Sequence, residues 1–523
     1  RRGLGAAALL LARACVDLRC ASAAAVFAGP FAAEGAPRGT RLKVVSWNVA
    51  AVNNNPFEYW ITHPSPAYKE LMESVEKFIV DPGVEDVRVD ELFTDAMFRR
   101  LVARMKEVGI GELEAVEGMW ESTYRSRRVV SEFLRDPVIG KKRLASMPDR
   151  VTNTIQLPSG AALFRPAVIN CYTEELGTVE EWFEKWLAFF FDQKVDLDGR
   201  GGRPVYRLLQ KIRRAKYPAV TEAEEAASVP LQLVLQGVFD AILVNLMQTK
   251  GGSSWQALRR EICESLNSKK NARILKILLR TYEDADVIFL QEAGNQLVEL
   301  LREHFRGSFT LVTPKGYNAK RNQNSVMLLR NGVIAFLYEV KIEPNGWEAG
   351  DLLAVEASVG GVDVTLASFH GDTNGLLTMP MLETVAKKLG TTRLLFGMDA
   401  NTYEKVSDST AHVLDFERTY QGLGFQSCWG KVDPTRYTTF NARTYLQPQL
   451  NKAAKSTELA AKGDRNPKDF VVFSKHFALG RVWRDNTGRG EYVEDMVFPT
   501  LDFPSDHAVL AVDLVMATEK EEL

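Results

Sequence analysis

Apolar residues follow two different rhythms along this chain. From about residue 65 to 283 they recur mainly at the 3.6-residue spacing of helices, most clearly in three stretches: 179–191, 231–247 and 255–277. One interruption, at 154–171, has a Pro-Ser-Gly turn between two apolar stretches and predicts a hairpin. The middle of the chain is therefore predicted to be mainly helical.

Short apolar runs separated by turns dominate the rest of the sequence. A first run at 42–47 is followed by seven more after residue 284: 287–290, 325–329, 352–357, 362–369, 394–398, 470–473 and 508–514. Helical stretches alternate with them near 293–305, 377–389 and 408–421. Because several of the strands are apolar on both faces, each sheet is predicted to be covered by another layer on each side. The predicted fold class is a layered α/β sandwich with a mainly helical insertion.

Composition and charge narrow the classes of function. The 523 residues are too many for one ordinary domain, and 46% hydrophobic with 25% charged residues is typical of a globular protein. The 65 Lys and Arg residues nearly balance the 67 Asp and Glu residues, for a net charge of -2. This balance argues against a nucleic-acid coat protein or a polybasic membrane binder, so any polyanion must be held locally.

Residues 1–40 are predicted to lie outside the fold, as a targeting leader or an unstructured alanine-rich tail. An apolar stretch at 3–12 follows two arginines and precedes small residues at 21–25, the layout of a secretory signal. The excess of arginine over acidic residues also suits import into a plastid or mitochondrion. Since the sequence begins with Arg, we expect the start of such a leader to be missing.

The cysteines and the longest apolar runs carry no strong signal. Five cysteines are widely spaced without a CxxC pair, which favours free core thiols over a zinc site or a disulfide scaffold: Cys15, Cys20, Cys171, Cys263 and Cys428. No uninterrupted apolar run reaches the roughly 18 residues that a membrane-spanning helix needs. We therefore expect no transmembrane segment.

Polar residues of catalytic type fall at the ends of the predicted strands, where a scaffold can display them. They are Asn48, Glu292, His370, Asp399, Asn401, Asp469, Asp506 and His507. Taken singly, each has a common structural explanation, such as a helix N-terminal acid, an Asx turn or a hydrogen-bonded histidine. The ordered set is more informative, because only six histidines occur in the chain and two of them occupy these positions.

In this order the strand-end residues resemble the endonuclease/exonuclease/phosphatase superfamily. The matching words are Ser46-Trp47-Asn48, Leu290-Gln291-Glu292, Ser368-Phe369-His370, Gly397-Met398-Asp399-Ala400-Asn401, Lys468-Asp469-Phe470-Val471-Val472 and Ser505-Asp506-His507. The resemblance implies the four-layered α/β sandwich of deoxyribonuclease I, with two packed mixed sheets flanked by helices. It covers residues 41–55 and 284–517, which leaves 56–283 as the helical insertion and 518–523 as a tail.

The acidic residues predict a metal site independently of the resemblance. Four carboxylates gathered at one sheet edge would repel each other strongly without a cation or protonation: Glu292, Asp399, Asp469 and Asp506. Oxygen ligands without a thiolate and with few histidines select Mg2+, or alternatively Mn2+, over Zn2+. We expect Asn48 and the acids at 292 and 399 to meet around one such ion.

The resemblance also implies a role for each residue in hydrolysis of a phosphate ester by an in-line water. Glu292 would be the principal metal ligand, with Asn48 beside it and Asp506 able to join the metal shell. Asp399 would position or deprotonate the water, and Asn401 would hold the water or the phosphate. His370 would donate to a non-bridging oxygen. His507, oriented by Asp469, would contact the phosphoryl oxygens or transfer a proton, so either Asp399 or His507 could be the general base.

The predicted function is a Mg2+-dependent phosphodiesterase acting on RNA, DNA or a nucleotide. The alternatives are an inositol-phosphate or phospholipid phosphoesterase of the same superfamily, and a catalytically silent binding module on the same fold. Asn374, in the polar turn 371–375 after His370, and Arg321 with Asn324, just before the strand at 325, are the candidate substrate-binding residues. The basic stretch 200–216 could hold a polyanion or form a solvated helix face.

The helical insertion leaves the first strand just after Asn48 and returns just before Glu292. Because both anchors border the predicted metal site, we expect the insertion to lie over or beside the catalytic mouth. It would act there as a lid or a substrate-selecting cap, or alternatively as an annex that contributes only stability.

Overall fold

The computed structural model describes residues 39–390 and 393–517. Nearly all of the predicted leader, and the tail at 518–523, lie outside the described residues. The first strand begins at Gly39, so the leader predicted to end at residue 40 overlaps the strand by two residues, Gly39 and Thr40.

The described residues form strands that extend over the following ranges: β1 Gly39–Asn48, β2 Thr154–Gln156, β3 Ala162–Phe164, β4 Lys194–Val195, β5 Arg203–Pro204, β6 Val287–Ala293, β7 Phe309–Val312, β8 Asn324–Arg330, β9 Ile334–Glu339, β10 Leu352–Val359, β11 Val362–His370, β12 Leu394–Asp399, β13 Phe425–Ser427, β14 Thr439–Asn441, β15 Asp464–Asn466, β16 Asp469–Ser474, β17 Phe477–Asp485 and β18 Val509–Ala517. Every strand predicted from the sequence is present.

The α-helices are α1 Pro66–Val80, α2 Val89–Leu92, α3 Asp95–Glu107, α4 Leu113–Met119, α5 Pro137–Lys142, α6 Ser146–Thr152, α7 Val179–Phe191, α8 Glu222–Ala226, α9 Ser228–Lys250, α10 Trp255–Cys263, α11 Lys270–Thr281, α12 Asn295–His304, α13 Thr378–Leu389, α14 Val413–Gly422 and α15 Leu459–Lys462. A π-helical segment, Glu264–Ser268, separates α10 from α11. The predicted helical stretch 255–277 is therefore interrupted.

Two six-stranded mixed sheets form the centre of the sandwich. The first has the strand order β17-β18-β1-β6-β8-β7 and the second β13-β16-β12-β11-β10-β9. In the first sheet β1 runs parallel to β6 and antiparallel to β18, and in the second β11 runs parallel to β12. Parallel neighbours of this kind need a crossover connection, and helices lie in these connections.

Apolar side chains of both sheets interdigitate to form the central core. The first sheet supplies Phe289 and Met327, and the second supplies Leu366, Leu395 and Phe473, all buried. The two sheets lie very close together at Gly397, since a Cβ atom there would lie 2.4 Å from the Phe289 ring. Helices α11 and α12 cover the outer face of the first sheet, and α13 and α14 cover the second. This arrangement confirms the predicted four-layered α/β sandwich.

The insertion has a separate apolar core, which α1, α3, α7, α9 and α10 build with neighbouring loops. Strands β2 and β3 form the predicted hairpin. The aromatic residues of α7, including Trp182 and Trp186, are buried in this core as their helical spacing predicts. Helix α11 differs from the preceding helices because its apolar face packs on the first sheet through Ile274 and Leu278.

Helix α9 is the element that bears on the expectation of no transmembrane segment. It is the one helix in the described part of the chain that is long and apolar enough to cross a membrane by length and composition. Gln232, Gln236 and Asp240 interrupt its apolar run, so no uninterrupted apolar run marks this helix in the sequence. About 89% of its most apolar window is buried inside the protein, as in the central helix of a packed core.

Two further expectations were wrong. Cys171 and Cys263 form a disulfide bond across a separation of 92 residues, whereas Cys428 is free and buried. No spacing motif marks the pair, since the fold alone brings these two residues together. The basic stretch 200–216 does not form a continuous helix; it contains part of the β4–β5 ribbon, the short 3-10 turn Val205–Leu208 and loop.

Candidate active site at the sheet edges

Strand pairing brings the strand-end residues to one edge of the sandwich. In the first sheet Asn48 pairs with Gln291, the residue before Glu292. In the second sheet His370 pairs with Asp399, and Asp399 pairs with Asp469. Parallel strands end at the same edge of a sheet, and the antiparallel strand β16 begins there, so side chains from five strands converge at this edge.

Asn48 joins the two sheets at this edge. Its Nδ2 atom donates to Glu292 Oε1 at 3.1 Å and to Asp399 Oδ2 at 2.9 Å. The other Glu292 oxygen, Oε2, accepts from the backbone N–H of Ala51 at 2.7 Å. Residues 48, 292 and 399 therefore meet at hydrogen-bond distance although as many as 351 positions separate them along the chain.

Two histidines flank the carboxylates. His370 Nε2 lies 3.2 Å from Glu292 Oε1 and 3.7 Å from Asp399 Oδ2. His507 Nε2 lies 3.7 Å from Asp399 Oδ2 on the other side. The second ring nitrogen of His507, Nδ1, lies 3.0 Å from Asp469 Oδ2, which orients the imidazole.

Left-handed backbone conformations occur where the chain turns out of these strands. Ala50, Glu292 and Asn401 have φ values of 55°, 56° and 48°. This region is sterically unfavourable for residues other than glycine, and such residues cluster at functional sites that surrounding contacts hold in place. At Asn401 the contacts include its N–H donating to Asp399 Oδ1 at 2.8 Å and Nδ2 donating to Gly371 O at 3.0 Å.

The charges of the site shift the pKa values of its members. Burial alone would raise the pKa of Glu292, but the neighbouring His370 and the hydrogen bonds from Ala51 and Asn48 hold it well below the usual range. Burial would lower the pKa of His507, yet the Asp469 and Asp399 carboxylates outweigh it and raise that pKa to about 10. Glu292 is therefore ionised at neutral pH and able to bind a cation.

A layer of hydrogen bonds behind the site fixes the strand ends. Ser505 Oγ donates to Asn48 O at 2.6 Å and accepts from His507 N, while Trp47 Nε1 donates to His507 O at 2.9 Å. Gln291 Nε2 bridges the sheets by donating to Ser368 Oγ at 3.1 Å. In the sequence these residues appear only as members of the short motifs that match the superfamily. Their supporting contacts could not be predicted, because they form only when the two sheets pack together.

The acceptor groups suit a hard divalent cation. Asp399, Asp469 and His507 offer ligand atoms that lie within 4.8 Å of one another, and Glu292 adds an ionised carboxylate beside them. In the described part of the chain, no lysine or arginine forms an ion pair with Glu292 or Asp399. Among the described residues, the cations that contact these two carboxylates are thus histidines, while Lys468 and Lys270 lie farther away. Oxygen-rich sites of this kind favour Mg2+ or Mn2+.

Asp506 makes its side-chain hydrogen bond outside this group. Its Oδ2 atom accepts from Asn441 Nδ2 at 3.1 Å, and within the described residues its carboxylate makes no hydrogen bond with Asn48, Glu292 or Asp399. The side chain that precedes His507 therefore points to β14 instead of to the convergence of strand ends. Its prediction as a metal ligand gains no support from this geometry.

The candidate substrate-binding residues differ in exposure. Asn374 is exposed in the polar turn 371–375, which lies beside the site because Gly371 N donates to Asp399 O at 2.8 Å. Arg321 is engaged with Asp351 and with Ala349 O. Asn324 is fully buried, and its Nδ2 donates to Arg321 O at 2.9 Å. Only Asn374 has a side chain that is available to solvent in this arrangement.

Comparisons with known proteins concern both parts of the chain. A family profile described as a domain of unknown function (DUF8234) matches residues 86–260, within the insertion. None of the curated proteins matches the sequence significantly.

Several solved structures are similar to about half of this chain. The human Nocturnin catalytic domain with bound sulfate anion is 15% identical, covers 49% of this chain and 89% of its own, and has a TM-score of 0.33. TDP2 of D. rerio complexed with single-strand DNA product is 16% identical, covers 47% of this chain and 92% of its own, and has a TM-score of 0.33. An endonuclease/exonuclease/phosphatase of Bacteroides vulgatus is 13% identical, covers 48% of this chain and 93% of its own, and has a TM-score of 0.34. The last structure bears the name of the superfamily that the sequence resembles.

Proposed function

We propose that this protein is a metal-dependent phosphoesterase that hydrolyses a phosphodiester in nucleic acid or in a nucleotide. The single observation that supports it best is the convergence of Asn48, Glu292 and Asp399 within 3.1 Å contacts, flanked by His370 and His507. Such a group combines a cation site, hydrogen-bond donors for phosphoryl oxygens and a candidate proton acceptor, the components that hydrolysis of a phosphate ester needs.

Glu292, with Asn48 beside it, is the proposed holder of Mg2+ or Mn2+. When bound, the ion would polarise a phosphoryl oxygen and stabilise charge on the leaving oxygen. The backbone N–H of Ala51 fixes one Glu292 oxygen at 2.7 Å, so the carboxylate is already oriented before an ion arrives. This fixed orientation reduces the reorganisation that binding requires.

The remaining residues handle the water and the phosphate. Asp399, fully buried and held by Asn48 and Asn401, orients the attacking water and accepts its proton. His370 donates from Nε2 to a non-bridging oxygen. His507, whose other nitrogen faces Asp469, donates to the phosphoryl group in its protonated form. The alternative assignment, with His507 as the base, requires its neutral form.

An activity panel tests the proposal. Purified protein is assayed with Mg2+, with Mn2+ and with EDTA on single-stranded RNA, single-stranded DNA, dinucleotides, inositol phosphates and a phospholipid. We expect turnover of a nucleic acid or nucleotide that EDTA abolishes. Turnover of inositol phosphates or the phospholipid alone would show that the substrate is not a nucleic acid or nucleotide. Mg2+ binding without any turnover would favour a binding module.

The variant Glu292→Gln tests the site itself. Because the amide removes the ionised ligand, we expect kcat to fall about 1000-fold or more and the Mg2+ isotherm in calorimetry to disappear. Glu303→Gln, at an exposed position in α12, is the matched control and should retain both. Full activity of the Glu292→Gln enzyme would refute the role assigned to this carboxylate.

A further inference from the structure

Lys270 is a buried cation without a counter-ion in contact. It is the first residue of α11, at the point where the chain leaves the insertion, and it is only 4% exposed. Its Nζ atom donates to Pro504 O at 2.5 Å. Among the described residues, no carboxylate lies within the 4 Å of an ion pair with this ammonium group.

Such an arrangement is costly in the protein alone. Burying an ammonium group without a paired negative charge carries a large desolvation penalty. Burial accordingly lowers the pKa of Lys270 to about 8, although the more distant carboxylates of Asp506 and Glu292 partly support the charged form. The group therefore remains mainly protonated at neutral pH. A bound anion would supply the missing charge.

A small crevice, with about 40 Å³ of space open to water, borders this side chain. Lys270 lines it together with the amide side chains of Asn53, Asn55 and Asn267 and the ring of Tyr59. The Nδ2 atoms of these asparagines already donate within the protein, to Glu58 Oε2, Leu446 O and Asn54 Oδ1, so the crevice offers an anion chiefly the charge of Lys270. Apolar residues complete the walls, including Ile61, Ile262, Leu266 and Pro499.

The crevice adjoins the candidate active site through two of its walls. Asn53 belongs to the loop that follows Asn48 and contains Ala51, the donor to Glu292. Pro504, another lining residue, directly precedes Ser505, which holds the backbone oxygen of Asn48. An extended substrate could therefore place one group at the sheet edges and a neighbouring group in the crevice.

We propose that Lys270 binds a second anionic group of the substrate, a phosphate adjacent to the phosphate ester that is hydrolysed. This inference rests on the proposed function and deepens it by naming the substrate class: esters with more than one phosphate. The insertion then takes part in substrate selection, because Tyr59, Asn267 and Lys270 all belong to it.

A substrate pair separates anion binding from a structural role. The dinucleotide TpT has one phosphate, whereas pTpTp has an added phosphate at each end. In Lys270→Met we expect the ratio of kcat/KM for pTpTp to that for TpT to fall by about tenfold or more, mainly through a higher KM for pTpTp. Lys270→Arg should retain most of the ratio, because it keeps the positive charge.

The control is Lys276→Met, which removes an exposed lysine from the same helix and should leave the ratio at the wild-type value. An unchanged ratio in Lys270→Met, with KM rising equally for both dinucleotides, would show that Lys270 only anchors the backbone at Pro504 and would overturn the proposal. If circular dichroism shows that Lys270→Met does not fold, Lys270→Gln, which keeps a donor for Pro504 O without the charge, takes its place under the same criterion.

Failure of the proposed function is distinguishable from failure of this inference. If the wild-type protein hydrolyses inositol phosphates instead, the same comparison uses monophosphate and bisphosphate members of that class. If it hydrolyses no phosphate ester with Mg2+, the proposed function fails, and calorimetry with inorganic phosphate then tests Lys270 directly. Binding that Lys270→Met abolishes and Lys276→Met retains would support the anion site, and equal or absent binding in the wild-type and Lys270→Met proteins would overturn it.

Discussion

At the scale of single residues, Asp469 acts on the candidate site through His507. Both of its carboxylate oxygens lie within 3.2 Å of His507 Nδ1, and the side chain is fully buried. This contact fixes the ring so that Nε2 faces Asp399 at 3.7 Å. It also favours the imidazolium form, which accounts for much of the raised pKa of His507.

Replacing Asp469 with Asn should therefore lower turnover while preserving the fold. The amide is nearly isosteric but removes the negative charge, so we expect kcat to fall about 10- to 100-fold. The pKa of His507 falls with it, so any pH limb that depends on protonated His507 should move to lower pH. A pH profile of kcat measures both effects, with the exposed Asp408→Asn as control. Unchanged kcat and an unshifted profile would contradict the orienting role.

Several site residues could be predicted because each follows or opens a recognisable strand. Asn48, Glu292, His370, Asp399 and Asp469 fall in this class, and the structure brings them together as expected. Lys270 and the hydrogen bonds of Ser505 could not be found in this way. Their partners are 234 and 457 positions away in the sequence, and no local pattern encodes such contacts.

At the scale of secondary-structure elements, α9 is organised around one buried ionic cluster. Asp240 on this helix accepts from Arg165 Nε at 2.8 Å and from Trp186 Nε1 at 3.0 Å. Arg165 also donates to Asp149 at 2.6 Å, and both Arg165 and Asp240 are almost fully buried. The helix is thereby joined to the loop after β3 and to α7 within the insertion core.

Asp240→Ala is expected to destabilise the insertion strongly. Removing one carboxylate leaves Arg165 buried with a single acidic partner, and breaking such a cluster typically costs about 3–5 kcal/mol. Urea unfolding followed by circular dichroism measures the loss, with Thr249→Ala near the exposed end of the same helix as the control. A loss below about 1 kcal/mol in Asp240→Ala would show that the cluster is not required for stability.

Helix positions were predictable where an apolar face determined them, and helix ends were less so. The stretch 179–191 matches α7 because the capping box of Thr178 and Glu181 coincides with the start of the apolar spacing. The stretch 408–421 was predicted too early, since α14 begins at Val413. Residues before it form turns in which Ala411 N donates to Asn374 O, a tertiary contact that spacing does not report.

At the scale of the whole molecule, the insertion is joined to the sandwich at several places around the candidate site. The backbone of Trp60 donates to Ala442 O at 2.8 Å, and Thr444 N donates to Glu58 O at 2.9 Å. The apolar insertion core also includes Ala442 and Leu446 of the sandwich segment. These contacts join the insertion to the segment that follows β14, and its proposed role as a substrate-selecting cap is compatible with them.

The Cys171–Cys263 bond constrains this arrangement from within the insertion. It spans 92 residues, so in the unfolded chain it closes a long loop and removes much conformational entropy, typically worth about 2–4 kcal/mol of stability. The residues that follow Cys263 contact the site loops, because Asn267 Nδ2 lies 3.3 Å from Asn54 Oδ1 and Lys270 contacts Pro504. Loss of the bond should therefore weaken the part of the insertion nearest the candidate site.

We expect reduction with TCEP to lower the free energy of unfolding of the insertion by about 2–4 kcal/mol. Guanidinium unfolding with and without TCEP measures the difference. The double variant Cys171→Ser/Cys263→Ser should already show the reduced stability and should not respond to TCEP, which separates the effect of this bond from that of any other thiol. Wild-type curves that coincide in the two conditions would contradict a stabilising role, because a cross-link over so long a loop cannot be removed from the unfolded state without increasing its entropy.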